Sequence, residues 1–111
     1  MENYSVLMSL YIKEKPEYLK LAIQSMVNQT YPPDEIVIVK DGQIGKELQS
    51  VLDEFVKQFP NLFHIVGYDQ NRGLGLALNY GLEHCKNELV ARMDTDDIAK
   101  PNRCEKQVEM F

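Results

Sequence analysis

Glu35-Ile36-Val37-Ile38-Val39-Lys40-Asp41-Gly42 reads as a strand that stops at a turn. Ile and Val are stiff at χ1 and favour extended backbone, and Asp-Gly is a turn signal. Helical periodicity flanks this stretch on both sides. Upstream, Pro16 opens a helix whose Leu19, Ala22, Ile23, Met26 and Val27 recur at helical spacing, and Thr30 to Asp34, with Pro32-Pro33, ends it. Downstream, Leu48, Val51, Leu52, Phe55, Val56 and Phe59 form a second stripe, ended by Pro60-Asn61. The same alternation continues outward. Val6 to Tyr11 is a first strand and Leu62 to Tyr68 a third. Leu74, Ala77, Leu78, Gly81, Leu82 and Cys85 mark a third helix, and Leu89 to Met93 a fourth strand. Pro101 suits the first turn of a fourth helix. Four strand–helix units in a row predict an α/β fold: a Rossmann-like parallel sheet of about four strands, flanked by helices through right-handed crossovers.

The chain has 111 residues, 44% hydrophobic and 26% charged, the balance of a globular domain. Its net charge of -5, without a run of Lys or Arg, argues against a nucleic-acid surface. No apolar stretch nears the roughly 20 residues that span a bilayer. Glu2 and Tyr4 stand where a secretory signal would be basic and then apolar, so the expected location is cytoplasmic, or membrane-associated through a part beyond Phe111. Cys85 and Cys104 lack the close spacing of a metal or redox pair and read as reduced, structural thiols. The fourth helical pattern reaches Phe111 without a cap or closing loop, so residues 1–111 are expected to be the first part of a longer protein.

The chemistry is expected where the fourth strand ends. Leu89 to Asp97 reads Leu-Val-Ala-Arg-Met-Asp-Thr-Asp-Asp, an apolar run that stops at Asp94, Asp96 and Asp97. Carboxylates this close repel one another and are costly to bury unpaired, so such a cluster calls for a cation or a ligand. In open α/β sheets, ligands bind beyond the carboxyl ends of the strands. There the other strands contribute Ser9 and Tyr11, Asp41-Gly42, and Tyr68-Asp69 followed by Asn71-Arg72-Gly73. An acidic loop suits a hard divalent ion such as Mg²⁺ or Mn²⁺, which shares its shell with phosphate oxygens. Arg72 has the forked geometry for a phosphate, and Asp41 can accept from a base or a sugar hydroxyl. Blander readings stand beside these: Asp41-Gly42 as a plain turn, Arg72 as a solvated charge, the acids as a helix cap. His64 and His84 read as structural or surface residues, and the methionines and Tyr80 as packing.

Several motifs fail. Leu78 occupies the third glycine position of a dinucleotide fingerprint begun by Gly73 and Gly75. No phosphate loop follows the first strand, and Ile98 and Ala99 break an EF-hand begun at Asp94. A sugar nucleotidyltransferase needs a glycine-rich loop where Tyr11 to Pro16 holds no glycine. A non-catalytic α/β interaction domain with an acidic, cation-binding loop is the alternative, and it predicts no nucleotide selectivity.

Across nearly its whole length the chain resembles the nucleotide-sugar-binding half of the inverting family 2 glycosyltransferases, of GT-A fold. The resemblance is carried by Ser5-Val-Leu-Met-Ser-Leu-Tyr11, Leu19 to Tyr31 with its terminal Asn28-Gln-Thr-Tyr31, and Glu35 to Gly42. Asn71-Arg-Gly-Leu74 with Asn79, and Arg92-Met-Asp-Thr-Asp-Asp97, complete it. It implies transfer of a sugar from a nucleotide-diphosphate donor, a UDP-sugar by expectation, to a saccharide or lipid-linked acceptor with inversion. It places Ser9, Tyr11 and Asp41 around the nucleoside and Arg72 near base and diphosphate. It places Asp94 by the donor sugar, Asp96 by ribose and metal, and Asp97 as direct ligand of Mn²⁺ or Mg²⁺. Ile12, Lys40 and Gln43 depart from residues common among relatives at these positions. The family's general base belongs to the acceptor half, expected beyond Phe111, so this chain is expected to bind the donor and not to catalyse transfer alone.

Overall fold

The computed structural model describes residues 3–29 and 32–94, with the side chains of all of these but 93 and 94. Four strands alternate with three helices: β1 (Ser5–Leu10), α1 (Pro16–Val27), β2 (Glu35–Asp41), α2 (Gly45–Gln58), β3 (Phe63–Tyr68), α3 (Leu74–His84) and β4 (Val90–Asp94). The expected fourth helix at Pro101 lies outside the described residues. All pairings are parallel, in the order β3-β2-β1-β4.

That order explains the layering. The connections through α1 and α2 step in one direction along the sheet, whereas the connection through α3 steps back across it. With right-handed crossovers, α1 and α2 must cover one face and α3 the other. The two cores agree. Val6, Met8, Leu10, Ile36 and Ile38 pack with Leu19, Ile23, Met26, Leu48, Leu52 and Phe55 of α1 and α2. Leu7, Val37 and Val39 pack against Ala77 of α3. Alternate side chains of one apolar run thus serve opposite faces, which is why Ile36–Val39 is apolar throughout.

The helix against the second face comes very close. A Cβ on Gly81 would strike Leu7 Cδ1 and lie 2.7 Å from Val39 Cγ2, so a side chain there would make Leu7 and Val39 shift or α3 lift from the sheet. Leu74, expected on the buried stripe, is instead 57% exposed, as is Leu76. The buried face of α3 consists of Ala77 and Gly81, so the helix meets the sheet only after its first turn.

At the amino edge of the sheet a polar cluster closes the core. Glu35, 7% exposed, accepts from Ser5 Oγ at 2.7 Å and from the Lys86 amide at 2.8 Å. Asn87 Nδ2 donates to Ser5 Oγ at 3.1 Å and to Asp34 Oδ1 at 2.5 Å. His64 Nδ1 stands 3.6 Å from Glu35 Oε2, and its ring meets that of His84 edge-on at 5.5 Å. These contacts tie the α3–β4 connection to the starts of β1 and β2. Both histidines thus stand at this amino edge, away from the carboxyl ends of the strands.

Candidate functional site

The opposite, carboxyl edge gathers the residues singled out above. β1 and β4 are neighbours although three elements of chain connect β2 to β4, so the strand order reverses between them. Such a switch point opens a crevice beyond the strand ends. Ser9 lies in register with Val39 of β2 and Asp94 of β4. Tyr11 follows the end of β1 and is 40% exposed. Asp41 ends β2 in register with Tyr68, which ends β3. Asp96 and Asp97 lie outside the described residues, as does the side chain of Asp94.

Asp41 is more than a turn residue. Its side chain is buried, and its Oδ1 accepts from the Arg72 amide at 2.7 Å. Its Oδ2 accepts from the Gly73 amide at 3.1 Å. Gly73 is the residue before the first turn of α3, so the carboxylate also sits where the helix dipole favours negative charge. Charge-assisted bonds of this kind are about twice as strong as neutral ones. Gly42 completes the joint: its φ is +88°, and a Cβ there would lie 2.8 Å from the Asn71 nitrogen. The Asp41 side chain and the close approach at Gly42 therefore join the β2–α2 turn to the loop before α3.

Arg72 is not a freely solvated charge. Its Cζ lies over the Tyr68 ring, 5.1 Å from the centroid. Among the described residues no carboxylate pairs with its guanidinium. Tyr80 meets Tyr68 edge-on at 5.3 Å and directs its hydroxyl at the Gly67 carbonyl, 3.4 Å away. The Tyr68 hydroxyl is buried and makes no well-formed hydrogen bond among the described residues. Burial first, then the neighbouring Asp41 carboxylate, as an acceptor and as a charge, push this phenol up to about 12. Both Asp41 oxygens also accept from the loop amides.

Sequence reading put Tyr68 at this edge but did not foresee its contact with Arg72, and it treated Tyr80 as packing alone. Only the position of Tyr68, last in its strand and four residues before Arg72, hinted at it. A groove of about 760 Å³ lies between α2 and β3, lined by Lys40, Gly42, Lys46, Gln49, Gly67 and Tyr68 among others. Gly42 and Tyr68 line it, so it adjoins the Asp41–Arg72 joint. Among the described residues no group of three His, Cys, Asp or Glu side chains could hold a metal, and no helix is long and apolar enough to cross a membrane.

Comparison with known proteins agrees with this fold. The family model described as glycosyl transferase family 2 matches residues 5–111. The chain is 50% identical, over 95% of its length, to the amylovoran biosynthesis glycosyltransferase AmsE of Erwinia amylovora, of which it covers 39%. It is 44% identical, over 93% of its length, to the UDP-Gal:alpha-D-GlcNAc-diphosphoundecaprenol beta-1,3-galactosyltransferase of Escherichia coli, of which it covers 37%. The chain thus spans well under half of these curated relatives. Among solved structures, the mannosyltransferase PcManGT of Pyrobaculum calidifontis, in complex with GDP-Man and Mn²⁺, superposes with a TM-score of 0.75 at 23% identity. That superposition covers 86% of this chain and 28% of the other, and shows a shared fold.

Proposed function

The chain belongs to glycosyl transferase family 2, and from that premise we propose that it forms the donor-binding half of an enzyme transferring a sugar from a nucleotide diphosphate to an acceptor hydroxyl. One observation carries the reading: at the switch between β1 and β4, Ser9, Tyr11, the Asp41–Arg72 joint and the start of the acidic run converge on one edge of the sheet. Ser9, Tyr11 and Asp41 bound the nucleoside. Asp41 has lone pairs left beyond its two amide bonds with which to accept from a base or ribose. Arg72 directs its N–H donors to the diphosphate, and Asp94 receives the donor sugar.

The remaining chemistry is cationic. Asp96 and Asp97 follow Asp94 by two and three residues, and their all-oxygen donor set fits Mn²⁺ or Mg²⁺. When bound, the ion offsets negative charge on the departing diphosphate. A UDP-sugar is the donor class we propose, since the Escherichia coli relative is named for UDP-Gal. The same name supports a lipid-linked saccharide acceptor. The acceptor hydroxyl attacks the anomeric carbon in one displacement, with inversion, and a base from the acceptor half takes its proton. Calorimetry of the protein with UDP and Mn²⁺ tests the reading. Binding is expected, with a clear loss in Asp97→Ala; no binding, or binding unchanged in that variant, would overturn it.

A further inference from the structure

The phosphate-facing duty of Arg72 requires its guanidinium to be held, yet among the described residues no acid holds it. What does lie against it is the Tyr68 ring. We propose that Tyr68 is a positioning residue, its ring the platform that presents the Arg72 guanidinium at the carboxyl edge of the sheet. The ligand side of this inference rests on the donor-binding reading above.

Three features make the platform work. First, the backbone at residue 72 is anchored independently of its side chain, by the bond from its amide to Asp41 and by the seat of Asn71 on Gly42. The arginine stem therefore starts from a fixed point. Second, the ring cannot swing away. Tyr68 belongs to β3, paired with β2, and Tyr80 of α3 braces its ring edge-on. Third, an aromatic partner leaves the arginine's donors free. A guanidinium over an aromatic face uses its π surface, while its five N–H groups radiate in its own plane. A carboxylate partner would instead occupy those donors and cancel the charge a diphosphate needs. An aromatic ring orders the side chain and does neither.

The platform requires a ring and not a hydroxyl. The Tyr68 oxygen makes no well-formed hydrogen bond among the described residues and is turned away from solvent. Phenylalanine should therefore replace it, and leucine should not. A cation–π contact at an exposed site is worth about 0.5–1 kcal/mol, which corresponds to roughly 2- to 5-fold in affinity.

The test is a double-mutant cycle on UDP·Mn²⁺ binding, read by calorimetry. Tyr68→Phe is expected to bind like the parent, and Tyr68→Leu about 2- to 5-fold more weakly. In an Arg72→Ala background, Tyr68→Leu is expected to cost nothing further. An equal loss in both backgrounds, or an equal loss in Tyr68→Phe, would overturn the proposal. A second measurement needs neither ligand nor leucine variant. The Arg72 side-chain protons should show upfield ring-current NMR shifts in the parent and in Tyr68→Phe; their absence in the parent would equally overturn it. If the parent fails to bind UDP·Mn²⁺ while the ring-current shift is present, the donor reading falls and the platform stands.

Discussion

At the residue scale, the joint between Asp41 and the loop before α3 is where structure and site coincide. Two amide donors converge on one buried carboxylate. Asp41→Ala would leave both without an acceptor at a place screened from water. Hydrogen bonds to charged groups contribute about 1.5–3 kcal/mol each, so this variant should lose about 3 kcal/mol of unfolding free energy, read from urea titrations. Asp41→Asn keeps one acceptor oxygen and should lose less. A fall in nucleotide affinity in Asp41→Ala would accordingly report loop disorder as well as a lost contact. Gly42→Ala meets a different obstacle, a φ of +88° with backbone 2.8 Å from the new methyl. Strain of this kind costs on the order of 1–3 kcal/mol. Tyr68→Phe removes a buried hydroxyl that makes no well-formed hydrogen bond and should leave stability unchanged or slightly raised at neutral pH; a clear loss would mean that the hydroxyl is bonded.

At the element scale, α3 carries the tension of the fold. It lies close on β1 and β2, at a depth that a side chain at Gly81 would disturb. Alanine there gains about 1 kcal/mol of helix propensity but drives a methyl into Leu7 and Val39, both fully buried. Overpacking of a dense core costs about 1–3 kcal/mol, so Gly81→Ala should be net destabilising despite its better propensity. The far end of α3 makes a pH-dependent contribution. Burial, then the charge of Glu35, push the Cys85 thiol from 9.0 up to about 11. The unfolded chain releases this proton near pH 9.0 and the folded chain only near 11. Its contribution is thus intact below pH 9.0 and lost as the pH climbs through about 11. Urea midpoints should fall across that window, and fall less in Cys85→Ala. Native-state alkylation of Cys85 at pH 8 should be correspondingly slow.

At the scale of the whole molecule, two apolar faces on one sheet form the scaffold, and the reversal of strand order provides the crevice. A ligand that binds only the folded state stabilises it by about 2.7 kcal/mol at 100 times its dissociation constant. UDP with Mn²⁺ should therefore raise the melting temperature, and EDTA should remove the increment that depends on metal. An increment indifferent to EDTA would leave the fold intact and sink the metal role. Much of this architecture was legible in the chain. Helical and extended periods alternate from Val6 to Met93, and four consecutive Ile and Val residues at 36–39 announce a doubly covered strand. Periodicity is local, so it survives without any knowledge of neighbours. It placed Ser9, Asp41 and Arg72 at strand ends or in the loops beyond them for the same reason. It could not show that Asp41 reaches Arg72 and Gly73, about thirty residues away, because that contact depends on the register of β2 with β3. Nor could it expose Leu74, set Arg72 over the Tyr68 ring, or show how closely α3 approaches the sheet at Gly81. Sequence by itself determined the elements, their order and the acidic run, since these follow from side-chain chemistry and spacing. Only the tertiary structure decided which side chains meet, because contact across strands is set by pairing and packing depth, which no local pattern contains.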